Sequence, residues 1–207
     1  MKTILSLFDV TGNWSKPYRD AGYQVIQHDI KLGWDIFTDT IPAAIEDFVE
    51  GRQIHGILAA VPCTDFAVSG ARWWKDKETQ PAGYDSDEVR FESTVEMSVF
   101  FVMSVLFLVD MFKPQWWVIE NPVGRIHKLV PEIGEPLMYF NPTDFGHPYT
   151  KKTALYGKFN TNLQKTPVLN LFGSEMWAKY GGKSERTKAA RSVTPEGFAK
   201  AFFKVNP

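Results

Sequence analysis

At 207 residues, 44% of them hydrophobic and 23% charged, the chain can bury a sizeable core and is composed like an ordinary globular domain. The formal net charge of −1 excludes a protein that is strongly basic or acidic as a whole, and a single cysteine excludes an internal disulfide. One domain over residues 1–207 and a reducing, cytoplasmic setting are therefore expected.

The first strand is expected over residues 3–8, a run too short for a signal peptide and cut by Asp9. The turn Asp9-Val10-Thr11-Gly12-Asn13-Trp14-Ser15 follows. A helix then begins with Ser15 as N-cap and Pro17 in its first turn, where the missing N–H costs little. A second strand over 23–28 ends in Asp29. Strand, small-residue turn, helix, strand and acidic residue is the layout of a nucleoside-binding βαβ unit, in which the acid accepts hydrogen bonds from ribose hydroxyls. An ordinary strand–helix loop would also read this way, since the turn holds a single glycine.

Asp35 lies in Gly33-Trp34-Asp35-Ile36, and 42–50 fits a short helix. Residues 56–60 are apolar, and 55–60 fit a buried parallel strand, which Pro62 ends because proline cannot donate to the ladder. Cys63 thus falls on a loop at the carboxyl end of a strand, where open α/β sheets bind their ligands. The plain alternative is a small buried hydrophobe. Residues 71–87 read as a long polar loop with Trp73 and Trp74, and loops of that size are usually functional.

A helix is expected over 88–112, apolar nearly all round and so buried. It includes 13 uncharged residues between Glu96 and Asp110. Crossing a bilayer takes about 20, so a core helix and no membrane partner are expected. Lys113-Pro114 ends it, and a strand over 115–119 delivers Glu120-Asn121-Pro122 to the same sheet edge as Cys63. A short helix over 125–129, strands near 137–141 and 153–157, and a final helix to about 204 complete the chain. Thr194 is read as the cap of that helix and Pro195 as its first residue.

Three blocks together resemble the C5 cytosine-specific DNA methyltransferase family, in a short form. Phe8-Asp9-Val10-Thr11-Gly12-Asn13-Trp14 is similar to its Phe-x-Gly-x-Gly turn. Pro62-Cys63-Thr64-x-Phe66-x-x-Ser69-Gly70 is similar to the segment around its nucleophile. Lys113-Pro114 through Val118-Ile119-Glu120-Asn121-Pro122 is similar to its strand ending in Glu-Asn-Val. The resemblance covers roughly residues 3–157 and, more loosely, the last helix.

It implies an α/β, Rossmann-like S-adenosylmethionine-dependent methyltransferase fold, with a mostly parallel sheet and helices on both faces. It also implies methyl transfer to C5 of cytosine in DNA. Cytosine C5 is too weak a nucleophile to attack a sulfonium; addition of a thiolate at C6 makes it an enamine-like one. Cys63 would be that nucleophile, and Glu120, held protonated by burial near Cys63, would give a proton to N3. Since C6 is out of reach in a duplex, the cytosine would be flipped out, with the 71–87 loop closing over it and Trp73 or Trp74 stacking. By the same resemblance Ser69, Asn121, Lys151 and Lys152 bind substrate. Phe8, Asp9, Gly12, Asn13, Trp14, Asp29, Ile30, Asp35 and Pro62 bind S-adenosylmethionine, and no metal is expected.

Val10 replaces a family glycine, Thr64 a glutamine and Pro122 a valine, while a lysine pair stands where the family has arginines. Only 35 residues, 158–192, stand between Gly157 and Val193, a short basic insert in place of a target-recognition domain. That leaves room for a homodimer or a specificity partner. Residues 1–100 carry a charge of −7 and 101–207 a charge of +6, so the second half suits a polyanion. The readings set beside this one are modification of a free cytosine nucleotide and an inactive nucleic-acid-binding relative.

Overall fold

The computed structural model describes residues 1–33, 53–83, 90–170 and 192–207. Asp35, the 42–50 helix, residues 84–87 of the polar stretch and most of the basic insert lie outside the described residues. The elements, in chain order, are β1 (Thr3–Leu7), α1 (Lys16–Asp20), β2 (Gln24–His28), β3 (Ile54–Ala59), α2 (Trp74–Lys77), α3 (Thr94–Phe112), β4 (Trp116–Pro122), α4 (Ile126–Leu129), β5 (Met138–Phe140), β6 (Thr153–Lys158) and α5 (Glu196–Val205).

The six strands among the described residues make one sheet in the order β2-β1-β3-β4-β6-β5. The pairs β1–β2, β1–β3 and β3–β4 are parallel, whereas β6 runs antiparallel between β4 and β5. Alternate strand residues serve opposite faces. Leu5, Leu7, Ile57, Ala59, Ile119, Ala154 and Tyr156 pack with Val102, Val105 and Leu108 of α3 on one side. Ile4, Leu58, Val118 and Leu155 pack with α1 and α5 on the other. The α/β, mostly parallel, Rossmann-like class with helices on both faces is the one expected.

Local chemistry moved several boundaries. α3 begins at Thr94 because the Ser93 side chain accepts from the Glu96 N–H. It is among the described residues the one helix long and apolar enough to cross a membrane. It lies against the sheet on one side, while Met103 and Phe107 on its other side are 40% and 51% exposed, so it is not buried all round. Lys113 ends it in a left-handed conformation. In α5 Pro195, not Thr194, occupies the cap position. The helix starts where Gly197 meets the 145–147 loop. A Cβ at Gly197 would stand 1.9 Å from the Phe145 carbonyl oxygen.

Candidate functional site

The turn after β1 enters through Phe8, at φ 57°, and bends again at Gly12, at φ 65°. What holds it is Asp9, a buried carboxylate. The Ser6, Thr11 and Ser15 hydroxyls donate to it at 2.9, 3.3 and 3.1 Å, and the Ser15 N–H at 3.4 Å. Ser15 is therefore not a side-chain cap of α1, since its hydroxyl is turned to Asp9 and Gly12. Asp9, expected at the cofactor, holds the turn together.

Trp14 departs further from expectation. Its ring is fully buried, 5.9 Å from Phe198 and 6.0 Å from Phe202 between ring centres, so it belongs to the core beneath α5. An aromatic ring in a turn looks the same in sequence whether it faces a ligand or the interior. At the end of β2, Asp29 accepts the Lys31 N–H at 2.9 Å, and Ile30 beside it is 63% exposed. A half-buried carboxylate with an apolar surface next to it, at the carboxyl edge of the sheet, fits a nucleoside ribose and base.

The loops after β3 and β4 are built as one piece. Ala59 pairs with Ile119, so Val61 comes beside Asn121. There the Asn121 amide, fully buried, donates to the Val61 carbonyl at 3.1 Å. Asn121, expected at the substrate, braces the Cys63 loop through this bond. Val68 N–H donates to Val123 at 2.9 Å and Arg125 N–H to Phe66 at 2.9 Å. Gly124 is required here, because a Cβ would stand 1.9 Å from the Phe66 oxygen.

A second set of contacts holds the chain just past Cys63. Asp65 is buried, taking a hydrogen bond from Ser98 at 2.6 Å and an ion pair with Lys77 at 3.0 Å. Lys77 also donates to the Thr64 carbonyl. Arg125, largely buried, donates from Nε to the Asp65 carbonyl at 3.0 Å and pairs with Glu78 at 2.9 Å. Its guanidinium lies 4.5 Å from the Trp74 ring centre. The stretch after Ala71, expected as an open loop, is thus a 3-10 turn over Val68–Trp73 followed by α2, latched to the Cys63 loop. Trp74 is half-buried with Arg125 over its ring. Trp73 is 49% exposed.

Glu120 is mostly buried on β4, its side chain 12% exposed. It does not stand alone: Lys151 Nζ is 3.6 Å away. Tyr149 is a residue the sequence reading missed. Burial, and then the Glu120 carboxylate, push its phenol up to about 12. A spacing of 29 residues gave no sign of that neighbour, which comes from the segment leading into β6, the strand beside β4. Lys152 turns away to Tyr139, 5.2 Å from the ring centre. Cys63 is partly exposed, and Pro62 and Ser69 are exposed, on the same edge. Among the described residues no cluster of ligands could hold a metal ion.

No family model matches the chain, and no curated protein matches it. Among solved structures it is similar to one described as a DNA modification methyltransferase encoded within an E. coli prophage, at TM-score 0.48 and 15% identity over 89% of this chain and 56% of that one. It is also similar to the Entamoeba histolytica methyltransferase EhMeth, at TM-score 0.40 and 13% identity over 89% of this chain and 61% of that one. The chain spans less than two thirds of the length of either structure.

Proposed function

We propose that the protein is an S-adenosylmethionine-dependent DNA methyltransferase acting at C5 of cytosine. The observation that carries this is the brace from Asn121 to Val61. It fixes the Pro62-Cys63 loop against the strand end that bears Glu120, so nucleophile loop and acid sit at the ends of neighbouring parallel strands. In this reading Cys63, as thiolate, forms a bond to cytosine C6 while Glu120 delivers a proton to N3. The Lys151 ammonium, opposite Glu120, turns to the base or a phosphate once the cytosine enters. Once C5 carries the methyl group, loss of its remaining proton to water and departure of the thiolate re-form the C5–C6 double bond, and N3 returns its proton to Glu120. Asp29, Ile30 and the backbone of the 8–13 turn would hold the cofactor, which supplies the methyl group.

The test is covalent capture. DNA containing 5-fluorocytosine, incubated with protein and S-adenosylmethionine, is expected to yield a denaturation-resistant complex, and Cys63→Ala to yield none. A complex that persists in the alanine variant, or none with the native protein on single- or double-stranded DNA, would overturn the reading.

A further inference from the structure

Two exposed cation–aromatic pairs stand on elements joined to the Cys63 and Glu120 strand ends, one through the loop after β3 and one through β5 and β6. On the β3 side the Arg72 guanidinium lies 5.0 Å from the Trp73 ring centre, and Trp73 is 49% exposed. On the β5–β6 side Lys152 lies over Tyr139, which is 46% exposed. Both are fixed to the site by backbone. The turn that carries Arg72 and Trp73 is hydrogen-bonded through Val68 to Val123, three residues past Glu120. Tyr139 pairs with Ala154, and Lys152 precedes β6, whose Thr153 lies opposite Pro122.

Large aromatic rings left half in water next to a cation have an obvious use on a nucleic acid. The ring accepts a base face, and the cation, within reach of the same nucleotide, meets its phosphate. In a duplex, base faces are stacked and closed to such rings, whereas an unpaired strand offers one at every nucleotide. A cytosine that is already unpaired also needs no flipping, which removes a cost of about a few kcal/mol. Resting on the methyl-transfer reading above, we propose that Trp73 with Arg72 and Tyr139 with Lys152 are stacking platforms for the nucleotides flanking the target, and that the substrate is single-stranded DNA.

Binding is measured by fluorescence anisotropy with labelled single-stranded DNA, the matching blunt duplex and the matching RNA, all in the Cys63→Ala background so that no chemistry intervenes. Single-stranded DNA is expected to bind most tightly. Trp73→Ala and Tyr139→Ala are each expected to weaken it about 5- to 150-fold, and Trp73→Phe to recover most of the loss. Arg72→Gln and Lys152→Gln should flatten the dependence of log affinity on log salt by about 0.7 each. Both rings are exposed, and unchanged circular dichroism checks that the variants fold. Duplex or RNA bound as tightly as single-stranded DNA, or affinity indifferent to both rings, would overturn the proposal. A failed fluorocytosine trap with ring-dependent strand binding intact would instead remove only the cytosine chemistry.

Discussion

Glu120 and Lys151 form the most informative pair in the molecule. A carboxylate facing an ammonium at 3.6 Å is a charge pair, whereas the sequence led to an acid held protonated by burial near Cys63. For Glu120 to protonate N3 in the proposed reaction, Lys151 must leave it, and substrate entry is the event that gives the ammonium another partner. The expected outcome for Glu120→Gln is a fall in turnover of about 10²–10⁴-fold with cofactor affinity retained. Isothermal titration with S-adenosylmethionine beside a methyl-transfer assay measures both, and undiminished turnover would take Glu120 out of the chemistry.

At the scale of elements, the strands and their carboxyl ends were legible, because short apolar runs bounded by Pro62 or by Lys113-Pro114 have few other readings. The contents of the turns were not. Asp9 and Asp65 look like any acidic loop residue in sequence, yet each is a buried acceptor with several donors. Burial depends on elements far along the chain: Ser98 on α3 supplies one of Asp65's partners and Lys77 on α2 another. Trp14 is the sharpest case, because its environment is made by α5, near the other end of the sequence. Trp14→Ala is expected to cost about 3–5 kcal/mol of stability, the usual range for an aromatic removed from a core. Urea unfolding followed by circular dichroism measures it, and a loss near zero would return Trp14 to the candidate ligand surface.

For the molecule as a whole, the buried tyrosines set an alkaline limit. Burial raises the phenols of Tyr149 and Tyr156 from 10.0 to about 12 and that of Tyr18 further still, with Glu120 adding to the effect at Tyr149. Below pH 10 both folded and unfolded chains keep these protons. Between about pH 10 and 12 the unfolded chain releases them while the folded one holds them, so stability falls as pH rises. Melting temperature across that window should drop less steeply in Tyr149→Phe than in the native protein. An identical slope would assign the effect to Tyr18 and Tyr156 alone.

The contact at Gly124 has a consequence for anyone wishing to redesign this edge. Loops at strand ends are commonly treated as interchangeable parts, to be lengthened or grafted one at a time while the scaffold stays put. Here the Phe66 carbonyl occupies the space of a side chain at position 124, and the two loops also share main-chain hydrogen bonds on either side. An insertion after β3 alone would shear that seam and carry the strand end with it. Transplanting the pocket into another scaffold therefore means moving 61–68 and 120–125 together, as a single cassette with its internal seam intact.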